Sequence, residues 1–363
     1  MPAISLTGRR ENPFKTIARS IISSIVRAVW RFIPRRAYLG RAPFNLSIAL
    51  TRKCNANCVF CAYQHAPKAE KIHMPDALFD RLVAEVARLP VKRVMLSPNI
   101  GEPTIAPAFL DKVARLRAAG VDLIEMTSNA LHWHKLGLAA LLERGPDKIN
   151  ISFAGFDKEM YERDYRVTGY EQTRENILGL SRLNGKAARP KDISLWLRGD
   201  QPIESLMAAP EIEEARDLAL DISAMTEVDS WLGLIEAEKL PDGYKLQERK
   251  AALTPRPCAL MFDLTIHPDG DVHLCSCRNV SGDPDLHVGD LASMSLEEAH
   301  RAIPALLERW ERGHVPASCR SCSMYTDPAI GLAGRIRAVH RAGALLPSRE
   351  TARSHSGALA AAE

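Results

Sequence analysis

An α/β chain is predicted: a partial, TIM-like (β/α)6 barrel of parallel strands, a small C-terminal α+β domain and an N-terminal amphipathic helix. Three observations predict it. Between residues 44 and 226, apolar runs rich in branched residues alternate six times with helical stretches, the pattern of buried parallel strands joined by crossover helices. The eight cysteines fall into two sets, Cys54, Cys58 and Cys61 early in that alternation and Cys258, Cys275, Cys277, Cys319 and Cys322 well beyond its end. Between residues 14 and 33, apolar side chains recur at helical spacing among arginines.

The strands are expected at 44–50, 91–96, 122–127, 148–153, 192–197 and 220–225, and the helices at 75–89, 108–119, 136–144, 157–182 and 203–218. In a barrel of this kind the chemistry sits at the C-terminal ends of the strands. The domains expected are an N-terminal basic segment (1–43), the barrel (44–226), a connector with some helix (227–257), a compact cysteine-bearing domain (258–326), a terminal helix (327–345) and a disordered tail (346–363). Within the cysteine-bearing domain, Pro268-Asp269-Gly270 reads as a hairpin turn between 262–266 and 272–274, which brings Cys258 and Cys275 together.

At 363 residues, with 46% hydrophobic and 25% charged residues and a formal charge of +4, the chain is an ordinary globular one. Global nucleic-acid binding is not implied. The charge is uneven, because no acidic residue occurs between Glu11 and Glu70, whereas Lys15, Arg19, Arg27, Arg31, Arg35, Arg36, Arg41, Arg52, Lys53 and Lys68 do. In the N-terminal helix Ile17, Ile21, Ile25 and Val29 share a face, with Phe14, Ile22 and Trp30 beside them, and Arg19, Arg27 and Arg31 interrupt any spanning segment. Two readings stand: the helix packs on the catalytic barrel as a lid or cap, or residues 13–36 lie on an anionic membrane surface.

Chemistry concentrates in Cys54-Asn-Ala-Asn-Cys58-Val-Phe-Cys61, directly after the first strand. Three thiolates on one loop can hold three corners of a cubane iron–sulfur cluster and leave the fourth iron open. Zinc is the competing reading and normally wants a fourth Cys or His. Lys53, Asn55 and Asn57 supply none, and His65 is a weak candidate. Short C-x2-C spacings without a secretory signal point to a reducing compartment, the cytoplasm, rather than to disulfides.

This C-x3-C-x2-C spacing, with Phe60 before its last cysteine, resembles the signature of the radical S-adenosylmethionine (SAM) superfamily. The resemblance implies that the open iron chelates SAM and that one electron cleaves it to a 5'-deoxyadenosyl radical, with Phe60 against the adenine. Gly101-Glu102-Pro103 resembles the superfamily's glycine-rich motif, with Ile100 where its first glycine usually stands. Ser128 and Asn129 end the third strand, Ser152 lies in the fourth, in a stretch that resembles one touching the ribose or carboxylate, and Arg198 ends the fifth, suited to the methionine carboxylate.

Cys258, Gly270, Cys275 and the pair Cys319 and Cys322 resemble the auxiliary-cluster domain called twitch, the short form of the SPASM domain. The resemblance implies a second [4Fe-4S] cluster, fully ligated by four thiolates, able to accept or pass an electron; a zinc ribbon is the alternative. Cys277 is left as a spare ligand, a hydrogen-atom donor or a small core side chain. The expected enzyme is a radical SAM oxidoreductase that oxidises a sugar, cyclitol or lipid-linked small molecule, fed by a flavodoxin- or ferredoxin-type donor, with Glu227, Asp229 or His65 as general base. Relatives with such domains include a dehydrogenase of an amino-cyclitol and an enzyme that rearranges GTP; the latter's Gly-Gly tail and extra cluster cysteines are missing here. Peptide maturation is a second enzymatic reading, disfavoured because residues 1–43 are too short for a leader-binding domain. A non-catalytic iron–sulfur or zinc protein is the reading from another class.

Overall fold

Strands form where the branched apolar runs predict them: after a short β1 (Ile4–Ser5) come β2 (Asn45–Ile48), β3 (Arg93–Met95), β4 (Leu123–Ser128), β5 (Lys148–Phe153), β6 (Asp192–Arg198) and β7 (Asp221–Met225). The structure, a computed structural model, describes residues 4–5, 21, 24–33, 39–40 and 42–329 except 98, 219, 250–252 and 281. Each of β2 to β7 pairs in parallel with its successor in sequence. The result is a partial barrel of six parallel strands, whose β7 edge is covered by β1 running antiparallel.

Alternation along β5 shows how the barrel positions a site. Ile149, Ile151 and Phe153 are fully buried in the core, while Asn150 and Ser152 point to the opposite face. That face carries the polar groups described below. Phe153 stacks on Tyr170 at 6.0 Å and meets Tyr161 at 5.4 Å, anchoring the helices that follow.

Three predicted helices are split. The stretch 157–182 forms Lys158–Tyr165 and Tyr170–Gly185, separated where Arg166 (φ 51°) and Gly169 (φ 119°) turn left-handed. The stretch 203–218 breaks before Pro210, as the residue preceding a proline resists the helical region. The stretch 136–144 starts earlier, at Trp133, and is interrupted at Gly137. Among the described residues the connector holds no α-helix: β8 (Glu227–Val228) and β9 (Lys245–Leu246) form a small parallel ribbon, with the 3-10 turn Ala237–Lys239 between them.

The sheet does not stop at the barrel. β10 (Leu264–Ile266) pairs in parallel with β2, and β11 (Asp271–Leu274) and β12 (His287–Asp290) extend the same sheet to ten strands. The hairpin turn at Pro268-Asp269-Gly270 forms as predicted. A helix that the periodicity did not yield, Leu296–Glu311, packs Ile303, Leu307 and Trp310 into the core. Its start is written in the sequence as a capping box, Ser295 and Glu298 each closing the other's backbone N–H. The terminal helix expected over 327–345 lies outside the described residues from 330 on, as does the tail. Among those described, no helix is long and apolar enough to cross a membrane.

His267, at the end of β10, is 4% exposed, and burial, then the His273 ring, pushes its pKa down to about 3 from an ordinary 6.5. The unfolded chain therefore binds a proton near pH 6.5 that the folded chain refuses until about pH 3. The stability this site contributes is present above pH 6.5 and lost as pH falls towards 3, with a slope of at most about 1.4 kcal/mol per pH unit. His267→Gln should flatten urea-unfolding stability against pH across that window; an unchanged slope would refute the assignment.

Candidate metal centre and strand-end site

The cysteine loop between β2 and its first helix has almost no regular structure, so neighbouring segments hold it. Asn57 and Val59 donate backbone N–H groups to Tyr165 O (3.1 Å) and Asp164 O (2.8 Å) at the end of helix Lys158–Tyr165. Tyr63 Oη donates to Cys54 O (3.2 Å), Gln64 Nε2 to Val59 O (3.0 Å) and Trp231 Nε1 to Phe60 O (3.0 Å). The thiols converge inside. Burial, then the Glu102 carboxylate, pushes Cys54 up to about 12. Burial, then Cys61 and Cys54, raises Cys58 far above its ordinary range, and burial raises Cys61.

Glu102 organises the side facing β4. It is 2% exposed. Its Oε1 accepts from Thr104 N (3.1 Å), Thr104 Oγ1 (2.5 Å) and Ser128 Oγ (2.8 Å), and its Oε2 accepts from Asn129 N (2.8 Å). Burial raises its pKa against the pull of those donors. Gly101 lets this turn approach: its φ is 107°, and a Cβ there would lie 2.5 Å from Thr51 O. Pro103 starts the 3-10 turn that Glu102 caps. Ile100, in place of the usual glycine, packs with Trp231, Ile235 and Val280.

The predicted strand-end residues divide into two kinds. Ser128 is fully engaged, donating to Glu102 and accepting from Trp133 Nε1 (2.9 Å) and Ala130 N (3.1 Å), so it supports the loop rather than facing a ligand. Asn129 reaches the cysteines: its Nδ2 donates to Asn55 Oδ1 (2.8 Å) and lies 3.9 Å from Cys54 Sγ. Ser152, Arg198 and Phe60 also come together. Arg198 Nε donates to Ser152 Oγ (3.1 Å), its guanidinium sits 5.5 Å over the Phe60 ring, and Tyr165 Oη is 3.0 Å from Ser152 Oγ. Tyr165 also meets Phe60 edge-on at 5.4 Å. Sequence reasoning missed Tyr165, for which no local motif exists.

The second thiol set gathers from four places. Cys258 precedes the 3-10 turn Ala259–Phe262, Cys275 follows β11, Cys319 lies in helix Ala317–Ser321 and Cys322 just after it. Cys275 takes a left-handed φ of 72°, rare outside glycine. Burial, then Cys275, Cys258 and Cys322, raises Cys319 above its ordinary range. Backbone N–H groups donate to sulfur at Cys258 (3.5 Å, from Thr326) and Cys322 (3.3 Å, from Met324). Cys277 stands near Cys275 and Cys322, pushed up to about 12 chiefly by burial, and accepts from Arg278 Nη1 at 3.3 Å.

Asp229 ties the two sets together. It accepts from Arg278 Nε (2.7 Å), Trp231 N (2.6 Å) and Ser323 Oγ, while Arg278 lies 4.1 Å over the Trp231 ring. A carboxylate engaged by three donors and 7% exposed is held as a latch. Glu227 opens β8, half-buried, and His65 faces solvent.

Donor spacing tests the metal. Among the described residues, the one group of three His, Cys, Asp or Glu ligand atoms all within 4.8 Å of one another is Asp271, His273 and His287. Among the described residues no three thiols of either set thus lie within 4.8 Å of one another, whereas Zn–S bonds of about 2.3 Å would put all the sulfurs of a tetrahedral zinc about 3.8 Å apart. A multi-iron cluster with one thiolate per corner fits that spread. Asn55 Nδ2, buried beside Cys54 without a hydrogen-bond partner among the described residues, is an unused donor at the same place. At the Asp271 group a hydrogen bond competes with metal binding. Asn279, its Oδ1 fixed by Asp283 N (2.7 Å), directs Nδ2 at His273 Nδ1 (3.0 Å). That leaves the ring proton on the His273 nitrogen a metal would need.

The fold and its two thiol sets define a parallel-barrel protein built around iron–sulfur clusters. Residues 48–194 match the Radical SAM superfamily and residues 258–323 the SPASM iron-sulfur cluster-binding domain, so the chain belongs to the radical SAM superfamily and carries a SPASM-type domain, with SAM and two [4Fe-4S] clusters as its cofactors. The chain is 33% identical over 191 residues to a probable GTP 3',8-cyclase of Pyrococcus abyssi (49% of this chain, 60% of that protein). It is 28% identical over 192 residues to the GTP 3',8-cyclase of Chlorobaculum tepidum (52% and 56%). It thus spans 60% or less of the length of these curated relatives. Streptococcus suis SuiB bound to precursor peptide SuiA shares the fold, with a TM-score of 0.56 at 13% identity over 88% of this chain and 76% of that one.

Because Asp229 is buried and Arg278 largely so, 5% and 18% exposed at the side chain, Asp229→Ala leaves a poorly compensated cation. Unfolding stability should fall by about 3–5 kcal/mol, measured by denaturant titration of anaerobic protein. A loss below about 1 kcal/mol would show that the latch is dispensable.

Proposed function

We propose that this chain is a radical SAM oxidoreductase acting on a small molecule, a sugar, cyclitol or lipid-linked compound, in a reducing compartment. The observation that carries the reading is a second set of four thiols, Cys258, Cys275, Cys319 and Cys322, enough to ligate every corner of its cluster. When bound, the cluster on Cys54, Cys58 and Cys61 supplies the electron that splits SAM into methionine and a 5'-deoxyadenosyl radical, and the second supplies an acceptor for the electron left on substrate. A reduced flavodoxin or ferredoxin is the external donor.

The chain's own residues bind and orient. Arg198, steered by Ser152, offers a guanidinium to the methionine carboxylate, and Phe60 offers a ring to the adenine. Gly101, Glu102 and Pro103 shape the backbone cradle beside Cys54, and Asn129 presents its amide there. Ser128 acts through Glu102. Asp229 positions Arg278 between the thiol sets, which leaves Glu227 as the candidate base for a hydroxyl proton.

A second reading is GTP cyclisation, favoured by the names of the sequence relatives. Four auxiliary thiolates speak against it, because a closed cluster keeps no iron for a nucleotide. Mass spectrometry of reactions containing GTP separates the two: a cyclised nucleotide would establish the second reading and remove the first.

Anaerobically reconstituted protein should contain about eight iron atoms per chain, and Cys58→Ala and Cys258→Ala about four each. Reduced wild type and Cys258→Ala should release 5'-deoxyadenosine from SAM, whereas Cys58→Ala should not. Zinc in place of iron, or release by Cys58→Ala, would end the proposal. Arg198→Ala should keep its iron but need about tenfold more SAM for half-maximal release; an unchanged requirement would remove Arg198 from the binding set.

A further inference from the structure

Residues 24–29 are helical and continue into the 3-10 turn Trp30–Phe32, and this short element is apolar on two sides. One side faces inward. Trp30, 9% exposed, stacks on Phe262 at 6.3 Å, Val26 and Ile33 pack against the same core, and Arg27 pairs with Asp327 at 3.4 Å. The helix thus packs as a cap, but on the cysteine-bearing domain, through Phe262 and Asp327, and not on the barrel as the sequence suggested.

The other side faces water. Ile21 is 55% exposed, Ile25 57%, Val29 40% and Phe32 71%. Among the described residues these are four of the five large hydrophobic side chains so exposed, the fifth being Leu183. Their spacing of four, four and three residues makes one stripe along a helix. Monomeric proteins seldom leave such a stripe open without a use.

Charge identifies the occupant. The chain from residue 12 to residue 69 holds no acidic residue, and Lys15, Arg19, Arg31, Arg35 and Arg36 flank the stripe in sequence, Arg27 being taken up by Asp327. Arg31 is exposed and lies 5.0 Å over the Phe32 ring. A second copy of the chain docked on this face would set cations against cations. An anionic lipid surface meets both demands, taking the apolar side chains at the headgroup boundary and the arginines at its phosphates.

We propose that Ile21, Ile25, Val29 and Phe32 form a docking face for an anionic membrane. The proposal does not depend on which reaction the site performs. Docking would also set the orientation of the second thiol set, because Phe262, on which Trp30 stacks, ends the 3-10 turn that follows Cys258.

Sedimentation of reconstituted full-length protein with phosphatidylcholine vesicles, with and without phosphatidylglycerol, tests it. Binding is expected to the anionic vesicles at low salt, weakened about tenfold or more without phosphatidylglycerol or at high salt. The double variant Ile25→Glu, Phe32→Glu should lose binding to the same extent while keeping its iron content and SAM cleavage, which shows that it folds. Three results would each overturn the proposal: wild type that ignores anionic vesicles at low salt, a double variant that binds them as well as wild type, or light scattering that shows a vesicle-indifferent dimer dissolved by the two substitutions.

Discussion

A carboxylate sealed from water, Glu102, is the constraint on which the centre depends. Burying an ion costs several kcal/mol unless its oxygens are filled, and here the filling comes from donors on two separate segments. Thr104 belongs to its own turn, and Ser128 and Asn129 to the end of β4. Its backbone N–H reaches Lys53 O at 2.8 Å, on the residue before Cys54. The cysteine loop, the turn and the strand end are thereby fixed in one piece. Gly101 is the steric condition for this, since any side chain there would run into the backbone of Thr51.

Arginines provide the complement on the other side. Arg198 and Arg278 both act to lower the Cys61 pKa against burial, and Arg198 does the same at Cys58. Thiolate clusters are anionic, and in a poorly screened interior a nearby guanidinium offsets that charge more strongly than it could in water. Arg278 also donates to Cys277 and, through Asp229, is tied to Ser323 beside Cys322. One cation is thus shared between Cys61 and Cys277, 216 residues apart in sequence, so neither set is electrostatically independent of the other.

The barrel was legible because its strands are short segments rich in branched apolar residues that alternate with helical stretches; β5 formed at its expected bounds, 148–153. Both thiol sets were legible because ligand spacing is local. What the sequence hid is what depends on tertiary closure. Tyr165, Trp231 and Arg278 carry no motif and matter only because the chain folds back on the Cys54 loop. Asp229 stands out in the sequence only by its place after a strand, and its three partners come from tertiary closure. The helix breaks at Arg166 and Gly169 escaped because periodicity persists across a short left-handed turn, whereas the capping box at Ser295 was a readable signal passed over.

The raised thiols connect this architecture to cluster assembly. Burial holds Cys54 at about 12 and Cys258 at about 11, so at neutral pH both are protonated until metal arrives. Ligation requires thiolates, and each iron–sulfur bond formed at these positions must release a proton. Assembly is therefore favoured as pH rises. The same fold that opposes ionised sulfur in the empty loop has already placed what the loaded loop requires: N–H donors at Cys61, Cys258 and Cys322, and guanidinium groups on either side. Burial thus makes the thiols inert alone and, with those donors fixed in advance, selects for a ligand that brings its own positive charge.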